Sequence, residues 1–281
     1  MARLESSSSA VDANLSLVGW ILRIGVAGCF IGHGAFGVIT KADWVPYFGV
    51  TGIHADTAWR LMPVIGTMDI VIGICALVWP CRALFAWGIV WAAWTALLRP
   101  LAGEPFWETF ERAGNYGVPL ACLVLYGIRG RWLTRVSISE AVVEFTGQVR
   151  QRLMWTLRLT TFFLLIGHAC LGLVVHKAGL TQHYLAVWSD APASTVAWIG
   201  AFELVLAAAL LLRPTAGLLL SICLWKVATE SLFLVAGAPV WELIERFGSY
   251  TAPLALAFLL SKTHFVASNR LSSADHLPSL S

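Results

Sequence analysis

Apolar residues along this chain neither alternate nor follow one amphipathic helical period; they come in long blocks divided by short polar breaks. A helix needs about 20 largely apolar residues to cross a bilayer. Blocks of that kind fall near 15–40, 58–80, 82–102, 106–128, 152–176, 193–213, 214–236 and 240–262, so about eight transmembrane helices are predicted. A strand reading fails, because membrane β-strands are about 10 residues long and alternate outward-facing with inward-facing positions. WPCR after the second block and LRPTAG after the sixth place proline and arginine where antiparallel neighbours turn tightly. Residues 1–14, with four consecutive serines and two acids, lack the basic start and small-residue cleavage site of a secretory signal, so the first block is expected to remain as a helix.

The pattern also repeats. PFWETFERAGNYGVP, starting at Pro105, and PVWELIERFGSYTAP, starting at Pro239, share eight of fifteen residues, where chance gives about one. The same separation of 134 residues pairs Asp69 with Glu203 and Trp91 with Trp225. One residue more pairs Trp20 with Trp155, Arg23 with Arg158 and His33 with His168. The chain therefore reads as a tandem duplication. Each unit has four helices, an even number, so the copies are parallel repeats related by an axis along the membrane normal. The predicted organisation is an N-terminal segment 1–14, a first repeat 15–128, a basic linker 129–151, a second repeat 152–262 and a tail 263–281.

Composition agrees with the blocks: 58% hydrophobic and 12% charged residues stand against about 45–50% and about 25% in soluble globular chains. The expected fold class is all-α and polytopic, with the lipid bilayer as its surroundings. A net charge of +3, scattered along the chain, excludes a nucleic-acid partner. The six cysteines lie in or beside apolar blocks without paired spacing and read as small core residues. Ten Lys and Arg lie on the side holding both termini and the linker, against six on the other. Both termini are therefore expected in the cytoplasm, across a membrane of the bacterial inner type. Trp132, Val136, Val143 and Phe145 between linker charges predict a short interfacial helix, and the tail from Ser268, rich in serine, reads as unstructured.

Six charged residues remain inside the apolar blocks: Arg23, Arg158, Lys226, Asp69, Glu203 and Glu230. At about 2.5–3.5 kcal/mol each they cannot all face lipid, so they are expected to face the bundle interior and meet one another. For Arg23 and Arg158 a structural ion pair competes evenly with function; Asp69 and Glu203 suit proton transfer. His33 and His168 share one depth on symmetry-related helices, among Gly28, Gly32, Gly34, Gly37, Gly167 and Gly172. Such glycines usually let helices pack closely, and beside a histidine they also leave room for a planar ligand. The third element is W-E-x-x-E-R-x-G-x-Y, present as Trp107, Glu108, Glu111, Arg112 and Tyr116 and again as Trp241, Glu242, Glu245, Arg246 and Tyr250. A capped, salt-bridged helix start explains part of it. A pocket lined in each unit by His33, Asp69, Glu111, Arg112 and Tyr116 or their counterparts is feasible, with Trp91 and Trp225 as walls. Lys226 and Glu230 stand where the first copy has Ala92 and Ala96, which favours the second half as the specialised one.

A four-helix unit with Arg23, then Phe30 to Gly34 reading F-I-G-H-G, then Lys41, resembles the DoxX-like membrane family, which includes the membrane subunit of thiosulfate:quinone oxidoreductases. The resemblance covers nearly the whole chain twice and implies four-helix bundles with a redox role beside a quinone. The second copy departs from it, with His176 where Lys41 stands, and thiosulfate itself does not carry over. The expected function is thus a membrane subunit of a redox system. His33 or His168 would hydrogen-bond a quinone, Asp69 or Glu203 would relay its proton, and a redox or periplasmic partner subunit would exchange electrons. A haem b clamped by His33 and His168 is the alternative cofactor. A non-catalytic anchor docking a periplasmic partner and a small-solute transporter are the rival functions.

Overall fold

The computed structural model describes the backbone of residues 2–192 and 194–274 and the side chains of 13–143, 145–192 and 194–261. In the first half α1 (Ala2–Val38) is followed by a 3-10 turn (Ala42–Trp44), α2 (Val45–Val50), α3 (Ala55–Val78), α4 (Arg82–Leu101), α5 (Trp107–Glu111) and α6 (Ala113–Tyr126). The linker forms α7 (Ile138–Glu144). The second half repeats the order with α8 (Gly147–Leu173), α9 (Ala178–Leu185), α10 (Thr195–Leu212), α11 (Ala216–Val235), α12 (Trp241–Ile244) and α13 (Phe247–Ala274). No strand is present among the described residues; one isolated backbone bridge joins Cys81 to Arg135. Seven helical segments are long and apolar enough to cross a membrane, and the eighth block is shorter, Ala113–Tyr126.

That shortening is one of several differences from the predicted boundaries, and the block over 240–262 likewise breaks between α12 and α13. The block expected as one helix over 106–128 breaks at Arg112, whose φ of −91° and ψ of 15° end α5 and begin α6. Two short helices at an angle let Glu108 and Glu111 turn toward the other half of the chain, which one straight helix would not. The terminal helices are also longer than expected: α1 begins at Ala2, and α13 continues to Ala274, into the segment read as unstructured. The rest of that tail, residues 275–281, lies outside the described residues. In the linker, Ser137 and Glu140 close a capping box at the start of α7. Val136 and Ala141 are buried, whereas Val143 is exposed.

The two halves interlock. α1 packs on α3 of its own half and on α12 and α13 of the other, while α8 packs on α10 and on α5 and α6. The four helices α1, α6, α8 and α13 form the buried centre. α3, α4, α10 and α11 lie outside it and turn Val64, Val71, Val90, Val205, Leu220 and Leu224 among others outward, the face a bilayer would meet. Close approach at the centre needs glycine: a Cβ on Gly114 would stand 2.6 Å from the Gly248 carbonyl carbon, and one on Gly248 would stand 2.5 Å from that of Gly114. These two residues are 134 apart and touch each other, so they mark the pseudo-twofold axis. Gly32 against the Glu245 backbone and Gly167 against that of Glu111 repeat the device on either side.

Candidate functional site

In the first half α1 and α3 cross closely enough for His33 Nδ1 to lie 2.8 Å from Asp69 Oδ2. With Asp69 as a carboxylate, which only accepts, Nδ1 is the protonated nitrogen. Asp69 is fully buried, whereas 22% of the His33 side chain is exposed, and its Nε2 has no hydrogen-bond partner among the described residues. The imidazole stacks on Trp44, with ring centroids 4.4 Å apart. It faces a cavity of about 340 Å³ lined by aromatics of the 3-10 turn and α2, by Ile65 of α3, by Trp91, Trp94 and Thr95 of α4, and by Arg112 and Asn115. This volume suits a small planar ligand. α3 packs along α1 and α4 along α6, and the two outer helices touch each other little, which leaves the cavity room between them.

At the cavity's rim Arg99 holds Glu104 at 3.1 Å, and the Tyr47 hydroxyl donates to the same carboxylate. Burial would raise the Glu104 carboxyl, but Arg99 and that hydrogen bond hold it below the usual range. Burial, with the Glu104 carboxylate adding to it, pushes Tyr47 above the usual phenol range.

The second half has the same dyad in another setting. His168 Nδ1 lies 2.5 Å from Glu203 Oε2, and only 7% of that imidazole is exposed. Glu203 has two further partners: the Trp225 indole donates to Oε1 at 3.1 Å, and Lys226 Nζ stands 3.7 Å away. Lys226 meets Glu230 at 2.8 Å, and Glu230 meets Arg246 at 2.8 Å. The three charges expected to meet, Glu203, Lys226 and Glu230, do so in one buried chain. The cavity that His33 faces lies in the first half, where Ala92 and Ala96 replace that lysine and glutamate; in the second half a more open cleft of about 440 Å³ at Trp198, Phe202 and Trp225 is not lined by His168. The charge of Lys226 and Glu230 is engaged in pairs inside the protein.

The W-E-x-x-E-R residues reach across the axis. Glu111 lies 3.8 Å from Arg246 and Glu245 3.7 Å from Arg112; Lys41 meets Glu242 at 2.6 Å, and Lys177 meets Glu108. Each half thus grips the other's last helix. This revises the pocket expected within each unit: His33, Asp69, Trp91 and Arg112 do gather, but Glu111 turns to the second half. Tyr116 faces away from the cavity and donates to the Thr109 carbonyl, as Tyr250 does to Leu243. The Glu108–Arg112 pair that their i,i+4 spacing suggests does not form among the described residues, where Glu108 pairs with Arg99 at 3.7 Å and with Lys177 instead. Its counterpart, Glu242 with Arg246 at 2.7 Å, forms.

Two further expectations change. Arg23 and Arg158 meet no acid among the described residues; Arg23 donates to the carbonyls of Ala76 and Leu77, and Arg158 to those of Leu210 and Leu211. There they complement the negative ends of α3 and α10. The apparent loss of Lys41 from the second copy is a one-residue shift. Thr40 and His176 are the two non-glycine residues with positive φ, at 58° and 50°, and each precedes a lysine that crosses to the other half. Lys177, not His176, is therefore the counterpart of Lys41. Sequence reasoning also missed Trp44, Tyr47 and Phe48 as cavity walls; the aromatic run after Thr40, with Pro46 opening α2, was the signal that could have found them.

Fold and site together define an all-α polytopic membrane protein with a histidine–carboxylate dyad in each half and an aromatic cavity beside the first. Compared with protein-family models, curated proteins and solved structures, the chain finds no match.

Proposed function

We propose that this protein is the membrane subunit of a DoxX-like redox system and that its first half binds a quinone head group. The observation that carries this reading is the His33–Asp69 dyad at the wall of an aromatic cavity whose sides, α3 and α4, carry apolar outer faces. Trp44 and Trp91 offer ring faces to a planar ligand, and a buried carboxylate behind an accessible imidazole is an arrangement for moving protons. Quinone chemistry supplies two electrons coupled to two protons. On the protein's side, His33 Nε2 takes or gives a proton toward the cavity, and Asp69 fixes the tautomer and stabilises the imidazolium while the proton is held. Electrons pass to a redox centre of a partner subunit. A haem b between His33 and His168 is disfavoured, because each imidazole is turned to the acid of its own half and the axis is filled by Gly114 and Gly248.

The test is equilibrium binding of decylubiquinone and decylubiquinol to the protein in lipid nanodiscs, with His33→Ala beside the wild type. Binding of either form that weakens at least about tenfold in the variant, the loss of one hydrogen bond in a desolvated site, is the expected result. A wild type that binds neither form would leave the anchor reading. The buried ion pairs that join the halves favour that reading as the second one.

For orientation, the excess of Lys and Arg on one side supports a bacterial inner-membrane reading with both termini and α7 in the cytoplasm. Impermeant thiol reagents applied from outside should label a cysteine at Asp56 or Asp190 and spare one at Ser139; the opposite pattern would invert the topology.

A further inference from the structure

The duplication supplies an internal control for the cavity. In the second half the Trp225 indole reaches Glu203 Oε1 at 3.1 Å, so both polar groups are satisfied. In the first half the equivalent atoms, Trp91 Nε1 and Asp69 Oδ1, are both buried and neither has a hydrogen-bond partner. The chemical difference is one methylene: an aspartate carboxylate stands about 1.5 Å nearer its helix than a glutamate carboxylate. An unmet buried donor or acceptor costs about 1–3 kcal/mol, and here one of each occurs together. Trp91 and the imidazole bonded to Asp69 line the same cavity.

We propose that a hydroxyl group of the ligand bridges this gap, accepting from Trp91 Nε1 and donating to Asp69 Oδ1, and that the site therefore prefers the reduced, quinol form of its ligand. The proposal rests on the quinone reading above and adds the redox form and the two atoms that select it. A quinol hydroxyl is donor and acceptor in one group and satisfies both atoms. A quinone carbonyl only accepts; it can take the Trp91 N–H, but it then sets its lone pairs against Asp69 Oδ1 and leaves that oxygen unmet. Both forms present a planar six-membered ring to Trp44, Trp91 and Trp94, so the hydrogen-bonding difference falls on this one bridge. The second half, where glutamate and tryptophan bond directly, has no such vacancy for a hydroxyl.

The experiment compares decylubiquinol with decylubiquinone on the wild type, Asp69→Glu and Trp91→Phe in nanodiscs, under argon for the reduced ligand. The quinol is expected to bind the wild type at least about tenfold more tightly than the quinone. Asp69→Glu should reach Trp91 as Glu203 reaches Trp225, abolish that preference, and raise the thermal stability of the ligand-free protein, a readout independent of binding. Trp91→Phe keeps the ring and loses the donor, and should weaken the quinol by a similar factor. Equal binding of the two forms, with dependence on His33 intact, overturns this inference and leaves the quinone reading standing. A preference that survives Asp69→Glu overturns it too, and no binding of either form removes both.

Discussion

At the scale of the residue, the two halves differ most where Ala92 and Ala96 of α4 meet their counterparts Lys226 and Glu230 of α11. Lys226 is completely buried, 2.8 Å from Glu230 and 3.7 Å from Glu203. Without the lysine, Glu203 and Glu230 keep His168 and Arg246 but lose the cation between them with no water to replace it, and breaking a buried pair costs about 3–5 kcal/mol. Lys226→Met should therefore lower the unfolding midpoint of the detergent-solubilised protein strongly, followed by circular dichroism against denaturant. Adding Glu203→Gln removes one of the two carboxylates that then lack the lysine, and should recover part of the loss. Strict additivity of the two changes would mean that the residues act independently. The charges themselves were plain in the sequence, as was the i,i+4 spacing of Lys226 and Glu230. Their engagement with Arg246 was not, since that contact depends on how α11 packs against the α12–α13 segment rather than on spacing along one helix.

At the scale of the element, glycine spacing decides how closely helices approach. Gly248 and Gly114 meet backbone to backbone, and a Cβ on either would stand within 2.6 Å of the other's main chain. Backbone cannot move aside as a flexible side chain can, so Gly248→Ala should cost about 1–3 kcal/mol, the usual range for overpacking. Gly179→Ala in α9 meets nothing within 4 Å and should leave thermal unfolding unchanged. Equal effects of the two changes would show that the crossing at the axis is not tight. The helix breaks at Arg112 and before Phe247 belong to this scale as well. The apolar blocks do not place them, because 106–128 and 240–262 each read as one run although the Glu111–Arg112 and Glu245–Arg246 pairs interrupt it.

At the scale of the molecule, interlocking changes what the duplication means. Two independent bundles would each bury their own polar motif; here α1 lies against α12 and α13, and α8 against α5 and α6. Lys41 with Glu242 and Lys177 with Glu108 fasten the two exchanges. Separated, the halves would lose the Lys41–Glu242, Lys177–Glu108, Glu111–Arg246 and Glu245–Arg112 pairs. Expressed as separate chains divided near residue 146, each half should be degraded or aggregate, whereas co-expression should restore a complex that co-purifies in detergent. A half that is monodisperse and folded by itself would show that the crossed contacts are dispensable. The same interlocking disfavours alternating access by rocking of one half against the other, the motion a transporter built from parallel repeats would use.

What the sequence by itself determined is whatever depends on local run length and on similarity between the copies. Long apolar blocks dictate membrane helices, because an unpaired backbone cannot cross lipid. Shared motifs dictate two equivalent units and pair His33 with His168 and Asp69 with Glu203. That each histidine would find its own acid was within reach of the pattern, since both lie on neighbouring helices at compatible depth. Tertiary structure alone decided which last helix each first helix embraces, because both choices bury the same residues and differ only in the path of the chain. It also decided that the cavity opens in the first half, where alanines stand in place of a paired lysine and glutamate and an aspartate stops one methylene short of its tryptophan. That outcome depends on distances of an ångström or two between helices, a scale on which residue identity sets the possibilities and packing selects among them.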